Sequence, residues 1–205
     1  NDPKLELRIE DGIKYVFETK ETFDQVLLDL TDPFGPSIEL YTHEFYAQIS
    51  KILSDKGILS LHIESPITRP ELFSKLYWTL KSVFPIVKPM TNYVPLYGTL
   101  WGFALASKTQ DPTSVDKRTI IERLAKHQLP ELHFYNEDTH HSLFALPNYV
   151  REMIKAEQQP IRKGDPSRCH CLDFPTGSGP DEHPAPRRTS IRSWTAKPVH
   201  QFAAH

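Results

Sequence analysis

Asp29-Leu30-Thr31-Asp32-Pro33-Phe34-Gly35-Pro36 places two carboxylates three positions apart on a segment stiffened by two prolines and hinged by a glycine. The run that leads into it, Phe23-Asp24-Gln25-Val26-Leu27-Leu28-Asp29, is largely apolar and ends on an acid, the pattern of a buried parallel strand. A carboxylate cluster with no histidine or cysteine beside it suits an organic cation, or a metal. The same residues also fit ordinary turn chemistry, since Asp-Pro commonly follows a strand.

The elements around this segment decide whether its acids face a ligand. Three expected strand ends carry acids, namely Asp11, Asp29 and Glu64. In an open α/β sheet the loops at the carboxyl ends of parallel strands form the ligand crevice, so parallel strands would aim all three acids into one place. Leu5–Ile9 reads as a strand, with Asp11-Gly12 and a short helix around Tyr15 after it. A helix from about Thr42 to Leu53 is expected to stop before Asp55-Lys56-Gly57, with Gly57 as a left-handed cap. Ile58–Ile63 reads as the next buried strand. Pro70 opens a helix in which Leu72, Phe73, Leu76, Tyr77 and Leu80 recur at three- and four-residue steps. Two extended stretches, Ile86–Val94 and Leu100–Ser107, and helices near Thr119–Lys126 and Asn148–Ile154 follow. Strands alternating with helices indicate an α/β sheet.

The chain has 205 residues, enough for one ordinary domain. Residues 1–155 hold seventeen basic and twenty-one acidic side chains, against seven and five from residue 156 on. A mildly acidic body argues against a nucleic-acid surface, which is usually basic. No run approaches the apolar length of a membrane span and no signal-peptide pattern is present, so the expected compartment is the cytosol. From residue 156 the chain carries seven of its eighteen prolines and loses amphipathic periodicity, so residues 156–205 are expected to be a Pro-rich, disordered tail. Within it, Cys169-His170-Cys171 lacks the spaced ligand pairs of a zinc site, and no metal is expected. For His140-His141, a packing or loop role is the expectation.

Several segments together resemble the polyamine aminopropyltransferase (spermidine synthase) family. That family carries an acidic strand end followed by Gly, then D-x-S/T-D-P-x-G-P, then a helix with F/Y-x-x-x-F/Y-F/Y. This chain has Asp11-Gly12, then DLTDPFGP, then LYTHEFY at Leu40–Tyr46. GILSLHIESP, LKSVFPIVKP, NYVPLYGTLWGFALASK and LHFYNEDTHHSLFALP follow in the family's order. The resemblance implies an α/β, Rossmann-like sheet of the S-adenosylmethionine-dependent methyltransferase type over residues 1–155. Asn1-Asp2-Pro3 resembles the point just before the family's third strand, so the domain is expected to be N-terminally truncated. The family sheet order 3-2-1-4-5-7-6 then leaves strands 4, 5, 7 and 6 contiguous and exposes a hydrophobic edge on strand 4.

The implied reaction transfers an aminopropyl group from decarboxylated S-adenosylmethionine, a co-substrate rather than a cofactor, to putrescine. Spermidine and methylthioadenosine are the products. An alkylammonium, with a pKa of about 10, has no lone pair to attack with at neutral pH, so a carboxylate must hold it and accept a proton. Position by position, the resemblance makes Asp29 the general base and Asp29, Leu30, Thr31 and Asp32 the polyamine site, with Glu64 and Tyr97 in the amine pocket. Asp11, Gly12 and Pro36 would hold the nucleoside. The family often has Gln at the position of His62 and a Tyr-Pro-Ser-Gly turn where this chain has Tyr97-Gly98-Thr99. It is commonly oligomeric, and a homo-oligomer is expected of the full-length form. Missing the first half of the sheet, the polypeptide is expected to be inactive, or nearly so, by itself. Two other readings stay open: a small-molecule methyltransferase, and a non-catalytic remnant that binds polyamine or a full-length partner.

Overall fold

The computed structural model describes residues 6–33, 35–127 and 132–164. Its centre is a four-stranded sheet of order β1-β2-β4-β3, formed by β1 (Phe23–Leu28), β2 (Leu53–His62), β3 (Ile86–Val94) and β4 (Thr99–Ser107). β1 and β2 are parallel, with Val26 opposite Leu59 and Leu28 opposite Leu61. β2 and β4 are antiparallel, as are β3 and β4. The order is the one anticipated from strands 4, 5, 7 and 6. β3 and β4 are joined by a tight turn at Pro95–Tyr97, closed by Gly98 in the left-handed conformation (φ 61°), which costs a glycine nothing.

Alternation assigns the faces of the sheet. Leu59, Leu61 and Ile63 are buried and share one face with Val26 and Leu28. The helices α2 (His43–Ile52) and α3 (Pro70–Lys81) supply the apolar partners of this core. α2 is capped by Thr42, whose hydroxyl accepts from the Phe45 amide, and buries Phe45, Tyr46, Ile49 and Ile52. α3 starts with Pro70 at its first turn and buries Leu72, Phe73, Leu76 and Leu80, the positions its periodicity marks.

The remaining helices are α1 (Gly12–Glu18), α4 (Lys117–Lys126), α5 (Glu137–Leu143) and α6 (Asn148–Lys155). α5 is absent from the pattern-based reading because its sequence, EDTHHSL, has no apolar stripe. Its start is set by a capping box, in which Asn136 accepts from the Thr139 amide and the Thr139 hydroxyl side chain receives the Asn136 amide.

Three expectations are corrected. Residues 6–9 of the proposed Leu5–Ile9 strand join no described strand, leaving Leu7 80% and Ile9 95% exposed; Leu5 itself lies outside the described residues. Gly57 is not a helix cap. α2 passes directly into β2, and Gly57 lies within that strand, where a Cβ would come 2.9 Å from Leu53 Cδ2 and 3.1 Å from the Phe23 carbonyl oxygen. β1 is parallel and forms the expected edge, but it is not the buried strand its apolar run suggested: none of Phe23–Leu28 is buried, and Leu27 is 66% exposed.

Packing continues past α6. The Ile161 side chain is buried, its amide donates to Thr79 Oγ1 (3.0 Å), and its carbonyl accepts from the His43 amide (2.8 Å). The Lys163 amide donates to the Glu44 carboxylate (2.9 Å). The rest of the Pro-rich segment, with Cys169-His170-Cys171, lies outside the described residues.

Candidate active site

The sheet delivers two acidic ends side by side. β1 leads to Asp29 through Asp32, and β2 leads to His62, Ile63 and Glu64. Asp29, Thr31 and Asp32 are exposed and Leu30 is half-buried. Glu64 is completely buried, and neither of its carboxylate oxygens has a hydrogen-bond partner among the described residues. Its nearest cation is Arg69, whose Nε lies 3.9 Å from Oε2; the same guanidinium lies 4.0 Å from Asp32. Burial first, and then the Asp32 charge, push the Glu64 carboxyl up to about 7, against a smaller opposing pull from Arg69.

Glu64 also has a left-handed backbone (φ 68°), which a side-chain-bearing residue adopts only under constraint. The constraint is visible. The Gly102 amide donates to the Glu64 carbonyl (2.9 Å), and the Ile63 amide donates to the Gly102 carbonyl (2.8 Å). A Cβ on residue 102 would lie 2.5 Å from both the Glu64 carbonyl oxygen and Phe73 Cε2, so only glycine allows β4 this close.

Behind the acidic loop stands Tyr41, the last residue of a 3-10 helix (Gly35–Tyr41). Its hydroxyl donates to the Thr31 carbonyl (2.7 Å). Its acidity is pushed far down by burial and then by the negative charges of Glu64, Asp32 and Asp29, so all three acids act on one phenol. His62 Nε2 lies 2.9 Å from the Leu30 carbonyl and 3.1 Å from the Tyr41 hydroxyl. A carbonyl can only accept, so Nε2 carries the proton.

Asp11 is no strand end. It caps α1, accepting from the Ile13 amide (2.8 Å) and the Lys14 amide (3.2 Å). Gly12, at the start of α1, and Leu30, in the acidic loop, line one apolar cavity of about 300 Å³, together with Tyr15, Val26, Leu40 and Phe45. This cavity links the Asp11-Gly12 end to the β1 loop. Pro36 falls in the 3-10 helix. Tyr97 reaches the acids only through a row of rings, with its centroid 4.4 Å from Trp101, which lies 6.2 Å from His62. Asp29, Leu30, Thr31, Asp32 and Glu64 thus lie together, Gly12 is joined to them by the cavity, and Tyr97 stands at the margin.

Three residues at this place were not anticipated as parts of the site: Tyr41, Arg69 and Gly102. Tyr41 falls inside the LYTHEFY motif, which gave a signal for the helix but none for the hydroxyl. His140 is held by the Tyr135 hydroxyl (2.7 Å) and the Pro112 carbonyl (2.9 Å), away from the acids. Among the described residues no group of three or more His, Cys, Asp or Glu side chains is disposed to hold a metal ion. Likewise, no helix among them is long and apolar enough to cross a membrane.

A mixed sheet of this order, with paired acids at the carboxyl ends of adjacent parallel strands and an apolar cavity alongside, defines a Rossmann-like α/β protein of the spermidine synthase type. The sequence profile described as Spermine/spermidine synthase domain matches residues 1–117, more than half of the chain, and the protein belongs to that family. It is 45% identical over 164 residues to the polyamine aminopropyltransferase of Nitrosomonas europaea, spanning 80% of this chain and 50% of that protein. Against the polyamine aminopropyltransferase of Sulfurisphaera tokodaii it is 40% identical over 168 residues, 81% of this chain and 55% of the other. A spermidine synthase in complex with the transition-state analogue AdoDATO superposes with a TM-score of 0.68 at 32% identity, covering 76% of this chain and 52% of that one. Spermidine synthase from Thermotoga maritima gives 0.64 at 30% identity, with 76% and 51% covered. The chain therefore spans about half the length of these relatives.

Proposed function

We propose that the site serves aminopropyl transfer, with putrescine as the amine and decarboxylated S-adenosylmethionine as the donor, no further cofactor, and a cytosolic setting. Asp32 holds one ammonium of the diamine. Asp29 accepts a proton as the amine nitrogen attacks the aminopropyl carbon next to the sulfonium. The new C–N bond forms as the C–S bond breaks, the electron pair going to sulfur, so that spermidine and neutral methylthioadenosine leave. The Asp11-Gly12 end, with Pro36, holds the nucleoside, for which the apolar cavity between Gly12 and Leu30 offers a place.

The observation that carries this reading is the exposed Asp29/Asp32 pair set beside that cavity. The pair meets the two demands of the reaction, a fixed negative charge for the cation and a proton acceptor open to the reacting nitrogen. Burial of Glu64 favours its neutral form near pH 7, which makes it the poorer grip for a cation.

Product analysis tests the proposal. Incubation of the 205-residue chain with putrescine and the decarboxylated nucleoside should yield spermidine and methylthioadenosine in equal amounts. Because the chain spans half of its relatives, the rate should lie far below that of a full-length enzyme. S-adenosylhomocysteine formed from S-adenosylmethionine would instead establish a methyltransferase. Putrescine binding measured by calorimetry reads the site directly, and a chain that binds neither putrescine nor methylthioadenosine would overturn the proposal.

A further inference from the structure

The acidic loop is tied at its far end, where the Ser37 hydroxyl donates to the Asp32 carbonyl (2.6 Å), but its stretch between the two acids needs other support. Its residues from Asp29 to Asp32 lie outside the sheet ladder, and three of the four are exposed. Two carboxylates on such a loop would grip a diamine poorly, because each would have to be immobilised on binding, at a cost paid out of affinity. Something else must fix the peptide units that lie between the two acids.

Among the described residues, two side chains reach those units. The Tyr41 hydroxyl donates to the Thr31 carbonyl at 2.7 Å, and His62 Nε2 donates to the Leu30 carbonyl at 2.9 Å. The two clamping groups also meet each other at 3.1 Å. Since the phenol hydrogen is committed to Thr31, the phenol oxygen faces the imidazole as an acceptor. Tyr41 is fully buried and His62 half-buried, at the end of β2, so both are anchored in the core. The His62 Nδ1 atom is buried without a hydrogen-bond partner among the described residues.

We propose that Tyr41 and His62 are positioning residues: by gripping two consecutive carbonyls they hold the peptide between Asp29 and Asp32, and so preset the separation of the two carboxylates for the diamine. The proposal rests on the reading of Asp29 and Asp32 as the amine site, but the clamp can be observed without any substrate. Neither residue touches the amine, and each acts only through the loop. The clamp uses only backbone carbonyls and takes up neither carboxylate.

The experiment uses the whole chain and three variants, Tyr41→Phe, His62→Leu and His62→Gln. Glutamine keeps an N–H that can donate to the Leu30 carbonyl, whereas leucine has none. The first readout is ligand-free: the backbone amide signals of Leu30, Thr31 and Asp32 and their heteronuclear relaxation. Tyr41→Phe and His62→Leu should move these signals and raise fast motion in the loop, and His62→Gln should restore them. The second readout is putrescine affinity by calorimetry. The two breaking variants should bind roughly tenfold more weakly, the equivalent of one hydrogen bond lost from a preorganised site, and His62→Gln should recover to within about threefold. Thermal unfolding without ligand separates a loop effect from a general loss of fold, because His62→Gln and His62→Leu should then differ in binding far more than in midpoint. Loop signals unchanged in both breaking variants would overturn the clamp. So would a loosened loop with undiminished affinity. If wild type shows no putrescine binding while the loop signals respond as stated, the clamp stands and the amine assignment fails.

Discussion

β1 and β2 are parallel neighbours that both end on acids, yet they deliver them into opposite surroundings. Asp29 and Asp32, after β1, are exposed on a loop, whereas Glu64, after β2, is completely buried, with a strained backbone whose carbonyl accepts from the Gly102 amide. The difference teaches that position at the carboxyl end of a strand does not by itself make an acid a ligand-binding group. An exposed carboxylate can exchange its hydration for a cation. An enclosed one loses its charge instead, and burial holds the Glu64 carboxyl at about 7.

The sharpest way to break this contrast is at Gly102. Gly102→Ala would drive a methyl group into the Glu64 carbonyl and the Phe73 ring, and should destabilise the fold by about 3 kcal/mol or more, read by urea unfolding. Changing Glu64 itself should give a pH-dependent effect. Its folded pKa lies above the unfolded value of 4.5, so the native state binds the extra proton and stability falls as pH rises from about 4.5 to 7. Glu64→Gln should flatten that decline and gain about 2–3 kcal/mol at pH 8, with little change in putrescine affinity. A loss of binding as large as that of an Asp29 variant would erase the distinction between the two acids.

On the open side, Asp29→Asn and Asp32→Asn should each weaken putrescine binding roughly ten- to hundredfold, the range for a hydrogen bond to a charged group, while moving the unfolding midpoint little. The smallest effect belongs to the outer face of β1. Leu27→Lys, at a side chain 66% exposed, should change stability by less than about 0.5 kcal/mol and reduce concentration-dependent self-association in sedimentation.

Much of this was legible in the sequence where the signal is local. The three- and four-residue steps of Leu72, Phe73, Leu76 and Leu80 located α3, and the apolar run before Asp29 located β1. The DLTDPFGP segment marked the acidic loop. What escaped was set by distance along the chain. Tyr41 meets the Thr31 carbonyl ten residues away, and His62 meets the Leu30 carbonyl thirty-two away, so neither bond leaves a pattern in any short window. Gly57 shows the reverse error: a glycine after a helix suggests a cap, but here it makes room for the Phe23 carbonyl. Glu64 was found as a strand-end acid, while its left-handed backbone is held by Gly102, a residue that becomes its neighbour only through the antiparallel pairing of β2 and β4.

The fastening of Ile161 bears on the order in which the molecule assembles. Its amide meets Thr79 eighty-two residues back, and its carbonyl meets the still more distant His43, so both bonds close large loops. The β3–β4 hairpin, in contrast, needs only a tight turn and can form as soon as residue 107 is available. Closing distant pairs is the slow part of folding, because the chain entropy is lost before the contact returns anything. A chain emerging from the ribosome would therefore build its hairpin early and lock α2 to α3 last, once residues 161 to 163 are free to reach back across both helices.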